Sequence, residues 1–159
     1  MPELRWADRR PAGAALMRWV TRAHCHIDRL ACAWLICRFI DAEAAFSFVE
    51  DRAALPSDAI AFDVPGAELS HHGPDCTFET MLRRYGLDDP VLWDLARIVH
   101  EADLADARFD APEAPGLDAL TRGLSFLLAD PELLEAGAVV FDGLYEYRRR
   151  YLLTGHDPS

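Results

Sequence analysis

Eight consecutive residues, Leu30 to Cys37, carry no charge, and Arg29 and Arg38 bracket them. With Phe39 and Ile40 added, the run puts apolar side chains on every face of a helix rather than on one stripe, so such a helix has to be enclosed on all sides. The run is far short of the roughly 20 apolar residues of a membrane span. The enclosure must therefore come from the chain itself, and 159 residues with 51% hydrophobic content are enough for one domain with a real core.

The flanking segments say what kind of enclosure it is. Arg18-Trp19-Val20-Thr21-Arg22 alternates bulky and polar groups and reads as a short strand. Ala45 to Val49 and Ala59 to Val64 read as two more, separated by a polar turn around Asp51 and Pro56. Strand, buried helix, strand is the signature of a right-handed parallel crossover. Asp28 is expected to cap the helix over Arg29–Ile40, and Thr77 to cap a second over Phe78–Tyr85. Pro90 in a first turn predicts a third helix to about Ala105, and helical spacing predicts two more over 117–128 and 131–153. The expected fold is α/β: a small, mostly parallel sheet of about three strands with a buried crossover helix, then a helical C-terminal half. Residues 1–16 read as an irregular arm, 17–153 as one domain and 154–159 as a tail.

A formal charge of −11 repels phosphate backbones, and Arg148-Arg149-Arg150 is the longest basic run, so direct nucleic-acid binding is not expected. No membrane association is expected either, and the N-terminus lacks the apolar core of a signal peptide, which predicts a cytoplasmic protein. Cys32 and Cys37 lie in the most apolar run and are expected to be buried thiols. Cys25 and Cys76 neighbour histidines and stay open between structural thiol, ligand and nucleophile.

Five of the six histidines fall in three short places: His24 with His26, His71 with His72, and His100. Carboxylates accompany them at useful offsets, Asp28 two residues after His26, Asp63 at a strand end, and Glu101 and Asp103 beside His100. In extended chain, His24, His26 and Asp28 share a face, and on a helix His100 and Asp103 do. Imidazole with carboxylate suits a divalent ion such as Zn, Mn or Fe. The expected ligand pool is His26, Asp28, Asp63, His71, His72, His100 and Asp103. Each has a plain structural reading as cap, loop polar group or helix-end cation. Arg29 is read either as an ion-pair partner of Asp28, Asp41 or Glu43, or as the receiver of a small oxyanion.

The string VTRAHCHIDRLACAWLICRFIDAEAAFSFVE, followed by IAFDVPGAELSHHGPDCTFETMLRRYGLDDPVLWDLARIVHEADL, resembles the C-terminal domain of the chromate-resistance ChrB family from residue 19 to about 150. The resemblance implies a bacterial protein linked to chromate tolerance and stress response, with chromate as the oxyanion partner. Full-length family members carry a further N-terminal region. A fainter likeness, of order only, is to DHH-type phosphoesterases: His26-x-Asp28, then Asp63, His71-His72, and His100 with Asp103. Three functions are therefore in view. The first is a metal-binding sensor or accessory domain. The second is a metal-dependent hydrolase with Glu101 as proton acceptor, and the third is an interaction domain without metal. The sequence leaves a homodimer open.

Overall fold

The structure, a computed structural model, describes residues 17–158, so the arm expected over 1–16 lies outside the described residues. Strand β1 (Arg18–Arg22) leads into helix α1 (Ile27–Leu35), which loosens into a π-helical turn, Ile36–Ile40, before β2 (Ala45–Val49). A 3₁₀ turn, Arg52–Ala54, precedes β3 (Ile60–Ala61). Helices α2 (Thr77–Arg84), α3 (Pro90–Leu104), α4 (Ala114–Ser125) and α5 (Asp130–Thr154) complete the chain.

The sheet has the order β2-β1-β3 and is parallel throughout, with Trp19 opposite Phe46 on one side and Ile60 on the other. The central position of β1 explains its composition: Trp19, Val20 and Thr21 are all fully buried, and the Thr21 hydroxyl is satisfied by the Phe62 carbonyl at 2.7 Å. β3 is shorter than the Ala59–Val64 expected, because Asp63 turns into the left-handed region (φ 50°) and ends the ladder.

Helix α1 is enclosed as its sequence demands, with α2, α3, α4 and α5 all packed on it. Leu30, Ala31, Cys32, Trp34, Leu35 and Ile36 are at most 2% exposed. Each buried large side chain is worth about 1.5–3 kcal/mol. The helix does not run unbroken to Ile40. Past Cys37 the chain leaves the core, Arg38 and Phe39 reach the surface, and the wider π turn rotates Arg38 onto α5, where Nε and Nη2 bond the two oxygens of Asp142. The Trp34 indole donates to the same carboxylate at 2.8 Å, and Phe39, Phe78, Phe141 and Tyr145 surround its ring.

The cap assignments shift by one position or more. His26, not Asp28, occupies the N-cap of α1, and Asp28 sits inside the first turn. Cys76 precedes α2, where the Glu79 carboxylate accepts from the Cys76 amide at 2.8 Å. Pro90 starts α3 as expected, and Asp89 before it accepts from the Val91 amide.

A candidate metal centre at the end of the sheet

Three acids reach one pocket from three elements. Asp28 comes from the first turn of α1, Asp63 from the end of β3 and Asp103 from the last turn of α3. His71, in the loop after β3, points its Nε2 between them, 3.1 Å from Asp28 Oδ2, 3.3 Å from Asp103 Oδ2 and 3.7 Å from Asp63 Oδ1. The pocket, of about 300 Å³, lies beyond the carboxyl end of the parallel sheet, where open α/β folds collect ligands.

Each acid is held by the chain. Asp28, 2% exposed, accepts from the Thr77 and Phe78 amides at 2.8 and 3.0 Å, so it caps α2 rather than its own helix. The charge-assisted bonds and the dipole of α2 make a buried carboxylate tolerable there. Asp63 accepts from the Thr77 hydroxyl at 2.7 Å and from Arg29 Nε at 2.9 Å. Burial raises its pKa, the Asp28 charge raises it further, and Arg29 opposes both. Asp103 is pushed up to about 6 by burial and by the Asp28 carboxylate. His71 moves the other way in charge, its pKa raised to about 9 by the hydrogen bond to Asp28, against the effect of burial. Three acids thus crowd around one imidazole, with the Arg29 guanidinium on Asp63 as the second cation of the pocket.

Arg29 lines the pocket, but its partner is Asp63 rather than Asp28, Asp41 or Glu43, and its Nη1 donates to the carbonyls of Arg22, Ala23 and His24. Arg22 and His26 also line the wall. Burial lowers the His26 pKa, and the Arg29 charge adds to the effect. His24 does not share that face. β1 ends at Arg22, and His24 adopts a left-handed φ of 62°, which turns its side chain outward toward Glu50.

The other predicted residues lie elsewhere. His72 donates from Nε2 to the Glu68 carbonyl at 2.7 Å and is exposed. The Glu101 carboxylate is occupied by the Ala107 and Phe109 amides at 3.1 and 2.7 Å, so it folds the loop after α3 instead of facing the pocket. His100 is fully buried in a second cluster: Nδ1 meets Glu79 Oε2 at 2.7 Å, and Nε2 meets Asp106 at 3.0 and 3.1 Å. Burial opposes its protonation, yet the two carboxylates raise its pKa on balance. The three histidine-bearing stretches thus do not share one centre. All four cysteines are buried free thiols. Burial pushes Cys25, Cys32 and Cys76 well above the ordinary thiol range and Cys37 to about 12.

Sequence reasoning missed Thr77, which binds Asp28 through its amide and Asp63 through its hydroxyl. It also missed Glu79 and Asp106 as partners of His100. Glu79 was findable, since a Glu three residues after an N-cap position is a capping signature. Asp106 gave no such signal, because it reaches His100 only through the left-handed turn at Ala105 and Ala107.

Residues 19–148 match the family model described as ChrB, C-terminal domain. The chain belongs to this family. Protein ChrB of Cupriavidus metallidurans is 40% identical over 132 residues, which cover 82% of this chain and 40% of that protein. The ChrB-type domain thus spans about two fifths of the length of the curated relative it matches. No solved structure matches it significantly. Among the described residues, no helix is long and apolar enough to cross a membrane.

Proposed function

We propose that this ChrB-type domain is a divalent-metal-binding sensor or accessory module of chromate resistance, holding the ion with Asp28, Asp63, His71 and Asp103. One observation carries the reading: a single imidazole nitrogen faces carboxylate oxygens of three separate elements at 3.1, 3.3 and 3.7 Å. Donor atoms that each stand about 2.1 Å from one ion are about 3.0–3.4 Å from one another; Asp28, Asp63 and His71 stand close enough together to share a centre, and Asp103, 3.3 Å from His71, would move inward to join them. Oxygen-rich donors with one imidazole fit Zn, Mn or Fe, and the ion would neutralise the acids that His71 and Arg29 now balance. The room beside the acids and the cations Arg22 and Arg29 on the wall suit a small oxyanion, with chromate the candidate that family membership suggests.

Elemental analysis and calorimetric titration with Mn²⁺ and Zn²⁺ test the reading. About one ion per chain is expected in the wild type, with binding lost in His71→Ala and Asp103→Asn. Less than about a tenth of an equivalent in the wild type, with no thermal stabilisation on adding either ion, overturns it. Chromate is then expected to raise the melting temperature of the metal-loaded form only.

A hydrolase is the second reading, favoured by the convergence of His26, Asp28, Asp63, His71 and Asp103 on a pocket open to solvent. In that case the proton acceptor is His26, whose lowered pKa keeps it neutral at pH 7, and not Glu101. A screen of phosphodiester and ester substrates with the metal-loaded protein decides it, silence removing the hydrolase.

A further inference from the structure

The metal reading leaves His100 without a task, although it is one of the most completely buried polar groups in the chain. Its two nitrogens join elements that both serve the pocket. Through Nδ1 it holds Glu79 Oε2, which in turn accepts from the Cys76 amide at 2.8 Å. Cys76 is followed directly by Thr77 and Phe78, the two residues whose amides hold Asp28, while the Thr77 hydroxyl holds Asp63. On its own helix, His100 stands one turn before Asp103, on the same face of α3. Through Nε2 it holds Asp106, which also accepts from the Arg108 amide at 3.1 Å and so pins the turn that follows Asp103.

We propose that Glu79, His100 and Asp106 form a positioning relay that fixes the start of α2 against the end of α3, and with it the distance between the Asp28–Asp63 pair and Asp103. The inference rests on the metal-binding reading of the pocket. In this role Glu79, His100 and Asp106 stay outside the ion's own shell in the pocket, whose wall none of them lines. Its effect is on the spread of the donor oxygens, which sets how well an ion is gripped and how symmetric its surroundings are. Removal of such outer partners in metal sites typically weakens binding about 10- to 100-fold. Asp106 lies at the solvent end, its side chain 43% exposed, so it can be changed without opening the core.

The test uses Co²⁺ alone as the probe, with the dissociation constant from calorimetry and the d–d absorption band as the record of coordination geometry. Asp106→Ala is expected to weaken Co²⁺ binding about tenfold and to shift the band. Asp106→Glu, which retains the carboxylate, is expected to restore part of both. His100→Gln is the second variant, expected to act in the same direction and more strongly. A loss confined to the melting temperature of the metal-free protein, with affinity and band unmoved, overturns the relay while leaving the metal site intact. A wild-type chain that takes up no Co²⁺ instead overturns the metal reading itself.

Discussion

Asp28→Asn nearly preserves the shape of the side chain and removes one buried charge. In the wild type, Oδ1 accepts from the Phe78 amide, while Oδ2 accepts from the Thr77 amide and from His71. An asparagine has one accepting oxygen and one donating nitrogen, so whichever way it turns, an NH₂ group confronts a backbone N–H. Hydrogen bonds to charged groups are worth about 1.5–3 kcal/mol each; the better orientation keeps the oxygen on Thr77 and His71, so the Phe78 bond is inverted and the other two lose the charge that strengthened them. Relief of repulsion with Asp63 and Asp103 offsets part of this, which leaves a net loss of about 2–4 kcal/mol. For a chain of this size that is a fall of about 4–16 °C in melting temperature. Thermal and urea unfolding followed by circular dichroism in EDTA measures it without interference from metal. The same variant removes the main reason for the raised pKa of His71, so its titration, followed by NMR, is expected to fall well below about 9. A melting temperature within about 2 °C of wild type would refute the argument that Asp28 is the electrostatic cap of α2.

The pH dependence follows from His71. Its folded pKa, about 9, is above the unfolded value of about 6.5, so its stabilisation is complete below pH 6.5 and is lost as pH rises to 9. Urea midpoints of metal-free protein should therefore fall across that window, with a flatter profile in His71→Gln; an unchanged slope in the variant assigns the effect elsewhere. Excess Mn²⁺ should reverse the trend, because ion and proton compete for the same nitrogen. Asp142→Ala removes a carboxylate that both Trp34 and Arg38 donate to and is expected to cost about 2 kcal/mol in urea unfolding, whereas a loss under about 0.5 would mean that this carboxylate does not hold the π turn. All four thiols are buried and held in the protonated form, so a thiol reagent at pH 8 should label fewer than one per native chain and all four in guanidinium. Rapid labelling of the native chain would contradict the packing around them.

The parallel crossover was readable because two signals agreed: an apolar run without a polar face and alternating segments on either side of it. The meeting of Asp28, Asp63 and His71 in one pocket was readable for a related reason, since strand ends and helix starts of such a unit fall at one edge. What the chain order hid was direction. Asp28 lies in its own helix, yet its carboxylate serves the amides of another helix 49 and 50 residues later, and no local spacing announces that. His24 was misplaced because a left-handed residue broke the extended chain that would have aligned it with His26. His100 and Glu101 looked like site residues beside Asp103, but the His100 imidazole is taken up by Glu79 and Asp106 and the Glu101 carboxylate by the Ala107 and Phe109 amides, and of the three Asp103 lines the pocket.

The pocket also has a schedule. Asp28 leaves the ribosome 75 residues before Asp103, an interval of about 4–15 s at ordinary rates of synthesis. For the first 43 residues of that interval the first acid has neither the imidazole of His71 nor the amides of α2 to answer it. β1 meanwhile waits for β3, a non-local parallel pairing of the kind that slows folding. The side chains of Asp28, Asp63, His71 and Asp103 can therefore meet only once α3 has been made, so the pocket is completed later than the sheet that supports it.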